Sequence, residues 1–206
     1  MNLKEISFLT TNAKKAKDFQ KFGFGVQEFD KDIPEILSEN VELVVLYKAK
    51  ETEINNIIVE DTSLSVESAN FLGTEIKHYF DKIQHNQDFH YKKAFWEVSL
   101  CLKKDNHYYI STGNLNGILM YPAFPTGYHF DTIFATLDKN HQFTHFENLT
   151  AEEKLEKSPR FKALRKLIYA IENNDFQKLK IYKDEDIKTW DGLYQEEKNY
   201  NKKLKV

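Results

Sequence analysis

Hydroxyls, an amide and a lysine lie close together near the amino terminus, at the point where a short apolar run ends. Thr10, Thr11 and Asn12 follow the run, and Lys15 comes about one helical turn later. The start of a helix carries partial positive charge and free backbone N–H groups, so it binds anions, and a nearby ammonium can reach phosphate oxygens. The pattern predicts a phosphate site, although an ordinary N-cap followed by a solvated lysine fits the same short motif.

Later segments combine acidic, aromatic and basic residues. The segment EDTSL places Glu60 and Asp61 at the end of an apolar strand, and Glu39 stands just before a helical segment. Further along, GYHFDTIF joins aromatic rings to an acid, and KSPRFKAL opens a helix with Arg160. Each segment alone is a weak signal, whereas several in a fixed order are far more specific.

Alternating strand-like and helix-like segments must position these residues. The segment EISFL reads as a strand, and NAKKAKDFQKF reads as an amphipathic helix for which Asn12 is a suitable N-cap. A second helical segment, NVELVVLYKAKETEI, leads into the apolar strand NIIVED. This alternation is typical of an α/β protein.

The middle of the chain has a different pattern. AFWEVSLCLKK and HYYISTGNLNGILM are long and rich in β-forming residues, with the turn signal KDNH between them. They predict an antiparallel hairpin, so the sheet as a whole should be mixed.

The last clear helix signal comes before a charged end. Ser158 is suited to the N-cap, and Pro159 is suited to the first helical position that follows it. Beyond residue 173 the apolar density falls and the charge rises. We therefore predict one domain over residues 1–173 and a charged C-terminal extension over residues 174–206.

Composition excludes several classes of protein. The 206 residues include 29 basic and 32 acidic ones, giving a formal net charge of -3, so no global positive field draws in nucleic acid. The single cysteine, Cys101, excludes an internal disulfide. No run approaches the roughly 20 apolar residues needed to cross a bilayer. We expect a cytoplasmic protein without a nucleic-acid or membrane partner.

Together the segments resemble the inosine triphosphate pyrophosphatase family. Its typical pattern is T-G-N-x-x-K, then D/E-D-S/T-x-L, then F-G-Y/W-D-P-x-F, then S-H-R, and the resemblance covers roughly residues 5 to 172. It implies hydrolysis of a noncanonical purine nucleoside triphosphate, such as inosine or xanthosine triphosphate, to the monophosphate and pyrophosphate. It also implies a Mg²⁺ cofactor, a homodimer, and an α/β fold whose long mixed curved sheet and flanking helices form two lobes around a central cleft.

The resemblance assigns roles to positions of this sequence. Contacts with the phosphates fall to Thr10, Thr11, Asn12, Lys15, Lys77 and Lys154. It assigns metal binding to Glu39 and Asp61. It also assigns activation of the water to Asp61, with Lys15 and Glu60 assisting catalysis. Recognition of the base falls to Tyr128, Phe130, Asp131 and Arg160. For Lys77 and Lys154, a solvated helix lysine is the alternative interpretation.

Several positions depart from the family pattern. His129 and Thr132 replace the glycine and proline of the base-pocket loop, and Pro159 replaces the histidine beside Arg160. A lost hydrogen-bond donor predicts weaker base selection rather than slower phosphate chemistry. Two functions therefore stay open: an active pyrophosphatase, and a diverged nucleotide-binding or regulatory relative with little turnover or an altered base preference.

Overall fold

A mixed sheet with helices on both faces forms the framework of the protein. The computed structural model describes residues 3–10, 12–28, 36–71, 73–84, 86–121 and 130–187. The elements in chain order are β1 Ser7–Thr10, α1 Ala13–Lys21, β2 Gly25–Glu28, α2 Val41–Lys50, β3 Ile57–Val66, α3 Ile76–Gln84, β4 Lys93–Lys104, β5 His107–Leu119, β6 Phe134–Leu137, β7 Phe143–His145, α4 Ala151–Lys157, α5 Pro159–Asn173 and β8 Lys180–Lys183.

The strands follow one another in the order β2-β1-β3-β4-β5-β6-β7, and β8 pairs with β5 beside β6. β1 is parallel to both β2 and β3, and the pairs from β3 to β7 are antiparallel. This curled mixed sheet confirms the predicted α/β class. Because β1 and β3 are parallel neighbours, their carboxyl-terminal ends point to the same edge of the sheet.

The longest pair of strands is the predicted hairpin of β4 and β5. Asp105 and Asn106 form its two-residue turn with φ angles of 49° and 59°. Two successive positive φ angles are typical of a type I′ turn, whose twist matches that of the flanking strands. The turn signal in the sequence therefore marked the correct place.

The two faces of the sheet bury different helices. On one face α1 and α5 pack on Phe8, Ile58 and Leu100. On the other face α2 packs on Val59 and Cys101. Successive side chains of a strand alternate between faces, so β3 contributes to both cores.

A third core surrounds Trp96 at the far end of the hairpin. The Trp96 ring meets Phe134 and Phe146 edge to face, with centroids 5.6 and 4.9 Å away. Ile76 and Phe80 of α3 are buried in the same cluster. This core supports the second wall of the cleft described below.

The described start of the predicted C-terminal extension packs against the sheet. β8 pairs in register with β5, and Leu179 and Ile187 on either side of it are 8% and 7% exposed. Trp190 and the rest of the extension lie outside the described residues. Across the part of the chain that the structure describes, no helix has the length and apolar character needed to cross a membrane.

Candidate active site

A cleft of about 880 Å³ lies between α1 and α5 on one side and α3 and α4 on the other. Asp61 and Lys15 both line this cleft, as the hypothesis drawn from the sequence requires. The predicted site residues that line the cleft are Asn12, Lys15, Asp61, Lys77, Asp131, Lys154 and Arg160. The structure thus brings together residues that lie almost 150 positions apart in the sequence.

The start of α1 has the expected N-cap. The Asn12 side-chain oxygen accepts the Lys15 backbone N–H at 3.2 Å. The Asn12 backbone N–H in turn donates to the Thr10 hydroxyl at 3.0 Å. Thr10 therefore shapes the turn beneath the cleft, and Asn12 and Lys15 face it. Thr11 lies outside the described residues.

Behind this helix start, Glu60 joins two cations in a buried network. Its side chain is fully buried, and the Lys15 ammonium lies 2.9 Å from one carboxylate oxygen. The Arg160 guanidinium donates to both oxygens, from Nε at 2.8 Å and from Nη2 at 3.1 Å. Such a fork-to-fork pair fixes the orientation of both planar groups.

Burial by itself would raise the pKa of Glu60, but the charges of Arg160 and Lys15 and their hydrogen bonds outweigh it and lower the pKa to about 2. Burial by itself would lower the pKa of Arg160. The charges of Glu60 and Asp18 and the hydrogen bonds to Glu60 outweigh burial and raise this pKa. Both groups are therefore permanently charged near neutral pH, so Glu60 is unsuited to accepting a proton from water.

Asp18 is a member of this network that our sequence reading missed. Its carboxylate accepts a hydrogen bond from Arg160 Nη1 at 3.1 Å, and it lines the cleft one turn after Lys15. The available signal was the i, i+3 spacing from Lys15, which puts both side chains on one face of α1. Within the part of the chain that the structure describes, Arg160 uses three of its five N–H donors on Glu60 and Asp18.

Asp61 has different surroundings from its neighbour Glu60. It is partly exposed, and its Oδ1 accepts the Thr62 backbone N–H at 2.8 Å. In the sheet it stands beside Ser99 of β4, which in turn stands beside Thr112 of β5. A partly exposed carboxylate in a cleft can bind a metal ion or a water molecule.

Glu39 lies near the cleft but outside its lining. It is exposed and borders a shallow neighbouring depression together with Glu75 and Tyr79. The adjacent residue Ser38 connects the two places, because its carbonyl accepts the hydroxyl of Thr74, which lines the cleft, at 2.7 Å. Within the described ranges no group of three or more His, Cys, Asp or Glu side chains is arranged to hold a metal ion.

Lys77 and Lys154 line the cleft from the second wall. Lys77 is in the first turn of α3 and is exposed. Lys154 of α4 also donates from its ammonium to the carbonyl of Glu147 at 2.5 Å. With Lys15 opposite them, cations line both sides of the cleft.

The part of the site expected to read the base is only partly described. Asp131 lines the cleft, whereas Tyr128, His129 and the side chain of Phe130 lie outside the described residues. Pro159 is buried at the first position of α5, after the Ser158 N-cap, and does not belong to the described lining. Apolar side chains that sequence reasoning did not assign to the site, Phe80, Trp96 and Phe146, complete the wall.

The curled mixed sheet and this charged cleft can now be compared with known proteins. The sequence model of the Ham1 family matches residues 6–170. The solved structure of the Ham1 protein from Staphylococcus aureus is similar, with a TM-score of 0.59 at 20% identity, over 82% of this chain and 99% of the other. No curated protein sequence matches this chain. The chain belongs to the Ham1 family, which is the inosine triphosphate pyrophosphatase family that its motifs resemble.

Family membership supports a noncanonical nucleotide pyrophosphatase activity in general, with dependence on a divalent metal. Those 165 matched residues include every described residue that lines the cleft. They end before β8, so the strand that pairs with β5 at this edge lies beyond the match.

Proposed function

We propose that this protein hydrolyses noncanonical purine nucleoside triphosphates, namely inosine and xanthosine triphosphate and their deoxy forms, to the monophosphate and pyrophosphate. The observation that carries the proposal is the convergence of Lys15, Lys77 and Lys154 with Asp61 on one cleft. Cations on both walls match the charge of a triphosphate, and a carboxylate between them matches the need to orient water.

The triphosphate would lie against the start of α1. Asn12 caps the helix and lines the cleft, so the start of α1, where the helix dipole favours an anion, adjoins the cleft. Lys15 is held by the buried Glu60, so its ammonium is positioned before substrate arrives. Lys77 and Lys154 would neutralise the phosphates from the opposite wall.

Asp61 and Glu39 would hold Mg²⁺, with Asp61 as the principal ligand because it lines the cleft. The donors fit this ion, since Mg²⁺ prefers oxygen ligands and is commonly bound by one or two carboxylates together with substrate phosphates. When bound, it would neutralise charge on the phosphates. The Asp61 carboxylate would also orient the attacking water and accept its proton.

Arg160 and Asp131 would read the edge of the base. Arg160 lines the cleft and carries five N–H donors, of which three bind Glu60 and Asp18, so its guanidinium can also contact a 6-oxo group. The buried pair with Glu60 fixes the guanidinium in advance, which lowers the entropy cost of binding. Tyr128 and Phe130 would stack on the ring.

A substrate panel tests the proposal. Pyrophosphate release is measured with inosine, xanthosine, adenosine and guanosine triphosphates at several Mg²⁺ concentrations, with the Asp61→Asn variant as control. We expect Mg²⁺-dependent release that is faster with inosine and xanthosine triphosphates than with adenosine and guanosine triphosphates, and that is lost in the variant. Thermal stabilisation by nucleotide without release would instead support a nucleotide-binding relative. The homodimer that the resemblance implies stays a prediction, and sedimentation of the intact chain tests it.

A further inference from the structure

The region beyond the family match is attached to both ends of α2. At the start of the helix, the Lys180 ammonium contacts the carboxylate of Glu42. At its end, Lys50 donates to the carbonyl of Ile187 at 3.1 Å and lies 3.7 Å from the Asp184 carboxylate. The segment from β8 to Ile187 therefore contacts both ends of α2.

Glu42 is the residue through which this attachment reaches the sheet. One of its carboxylate oxygens contacts Lys180, and the other accepts the Thr112 hydroxyl at 2.9 Å. Because the Thr112 proton is used there, the 2.8 Å contact between Thr112 and Ser99 has Ser99 as the donor. Ser99 is the register neighbour of Asp61, so Glu42 anchors the row of side chains beside that carboxylate.

A second path runs from Glu42 to the wall of the cleft. The Glu42 backbone N–H donates to the Asn40 N-cap at 3.0 Å, and the Asn40 N–H donates to the Ser38 hydroxyl at 3.1 Å. The Ser38 carbonyl accepts the hydroxyl of Thr74, which lines the cleft. Gly73 makes this approach possible, because a Cβ there would collide with Ser63 and Ser65 of β3.

Lys180 is 61% exposed, and an exposed ion pair alone contributes little stability. Its partner Glu42, however, is only 14% exposed and faces a second carboxylate, Glu97 of β4. Burial, together with the charge of Glu42, raises the pKa of Glu97, and Lys180 opposes this effect. Without the Lys180 ammonium, the carboxylate of Glu42 in the first turn of α2 and that of Glu97 in β4 would repel each other.

We propose that Lys180 is a positioning residue for the cleft, which acts by holding Glu42 against the sheet and so fixes the start of α2 and the wall that carries Thr74. The kinetic consequence rests on the proposed hydrolysis, whereas the structural consequence does not. This role belongs to a strand outside the part of the chain that matches the family.

The test compares Lys180→Met with Lys183→Met, a change on the same strand that removes a lysine paired with the exposed Glu185. Amide hydrogen exchange is followed by mass spectrometry over residues 36–44 and 73–76, and kcat/KM is measured with the best nucleotide. We expect Lys180→Met to speed exchange in both segments and to lower kcat/KM about 5-fold. Lys183→Met should change neither.

Two further variants separate positioning from a general loss of stability. Lys180→Arg should keep both exchange and kcat/KM close to wild type, and Glu97→Gln added to Lys180→Met should restore them by removing the repulsion. Faster exchange confined to residues 180–183, or no rescue by either variant, would overturn the proposal. If the wild-type protein hydrolyses no nucleotide, the proposed function fails and the exchange measurements still decide this inference.

Discussion

Glu60 and Asp61 are neighbours in β3, yet the two faces of the sheet give their carboxylates opposite surroundings. Glu60 is fully buried among Lys15 and Arg160, with both oxygens occupied. Asp61 is partly exposed in the cleft, and its Oδ1 accepts the neighbouring Thr62 N–H. The alternation of the strand alone separates them, because successive side chains point to opposite faces.

These surroundings decide which of the two adjacent acids can take part in chemistry. A carboxylate whose pKa lies near 2 and whose oxygens are saturated stays ionised and gives its partners a fixed geometry. A carboxylate that faces a cleft can exchange ligands and protons. We therefore assign Glu60 to positioning Lys15 and Arg160, and we keep Asp61 as the proposed group that acts on water.

The Asp61→Asn variant gives the largest effect and tests the comparison most directly. Asparagine keeps the volume and an oxygen that can accept the Thr62 N–H, but it binds metal weakly and cannot take a proton. We expect kcat to fall on the order of 100-fold or more while the melting temperature stays within a few degrees. Wild-type turnover in this variant would remove Asp61 from the mechanism.

The opposite result is expected for Glu60→Gln, which should act first on stability. It takes the buried carboxylate away from both Arg160 and Lys15, and removing one member of a buried ion pair is costly. We expect a loss of about 2 kcal/mol in the free energy of unfolding, measured by urea denaturation at pH 7.

Its pH dependence supplies the control. The folded-state pKa of Glu60 is lowered from 4.5 to about 2, so the stabilisation is fully present above pH 4.5 and is lost as the pH falls toward 2. The stability difference between wild type and Glu60→Gln should therefore shrink across that interval. A difference that is independent of pH would show that the buried charge is not its source.

A smaller effect is expected for Glu39→Gln. This variant tests whether the metal site includes a residue outside the lining of the cleft. Because Glu39 is exposed and lies outside the described lining, we expect about a 10-fold loss of kcat/KM at low Mg²⁺ and recovery when Mg²⁺ is raised. Glu75→Gln, at the same shallow depression, is the matched control. Equal behaviour of the two variants would mean that Glu39 is only a surface charge.

Local signals in the sequence predicted most of the fold. The N-caps Asn12 and Ser158 and the hairpin turn at Asp105 and Asn106 were readable because short-range hydrogen bonds and backbone angles fix them. Helix α4 was equally readable from the capping box of Thr150 and Glu153, which our reading passed over.

Features that depend on long-range contacts were not readable. β8 is a short strand in which Ile181 and Tyr182 stand between two lysines, and it exists because β5 offers a free edge. The Asp18–Arg160 pair joins residues on two helices far apart in sequence, so the spacing from Lys15 could place Asp18 on one face of α1 but could not identify its partner. Lys180 and Glu42 are hidden for the same reason.

The smallest effect is expected for a substitution at Pro159. Because Pro159 lies next to Arg160, the substitution tests whether the buried network also controls which base is bound. The motif comparison suggested that a histidine at this position supplies a donor to the base. In the folded chain Pro159 is buried at the first position of α5 and lies outside the described lining, whereas Arg160 belongs to that lining. We therefore expect Pro159→His to change the ratio of kcat/KM for inosine over adenosine triphosphate by less than about 2-fold, well below the roughly 10-fold that a full hydrogen bond can give.

Arg160→Lys is the matched comparison, because it keeps the charge and loses the planar fork. It should lower this ratio of kcat/KM by more than Pro159→His changes it. A rise of about 10-fold in Pro159→His would show that the start of α5 does reach the base and that Glu60, through Arg160, is only one of two groups that position base recognition.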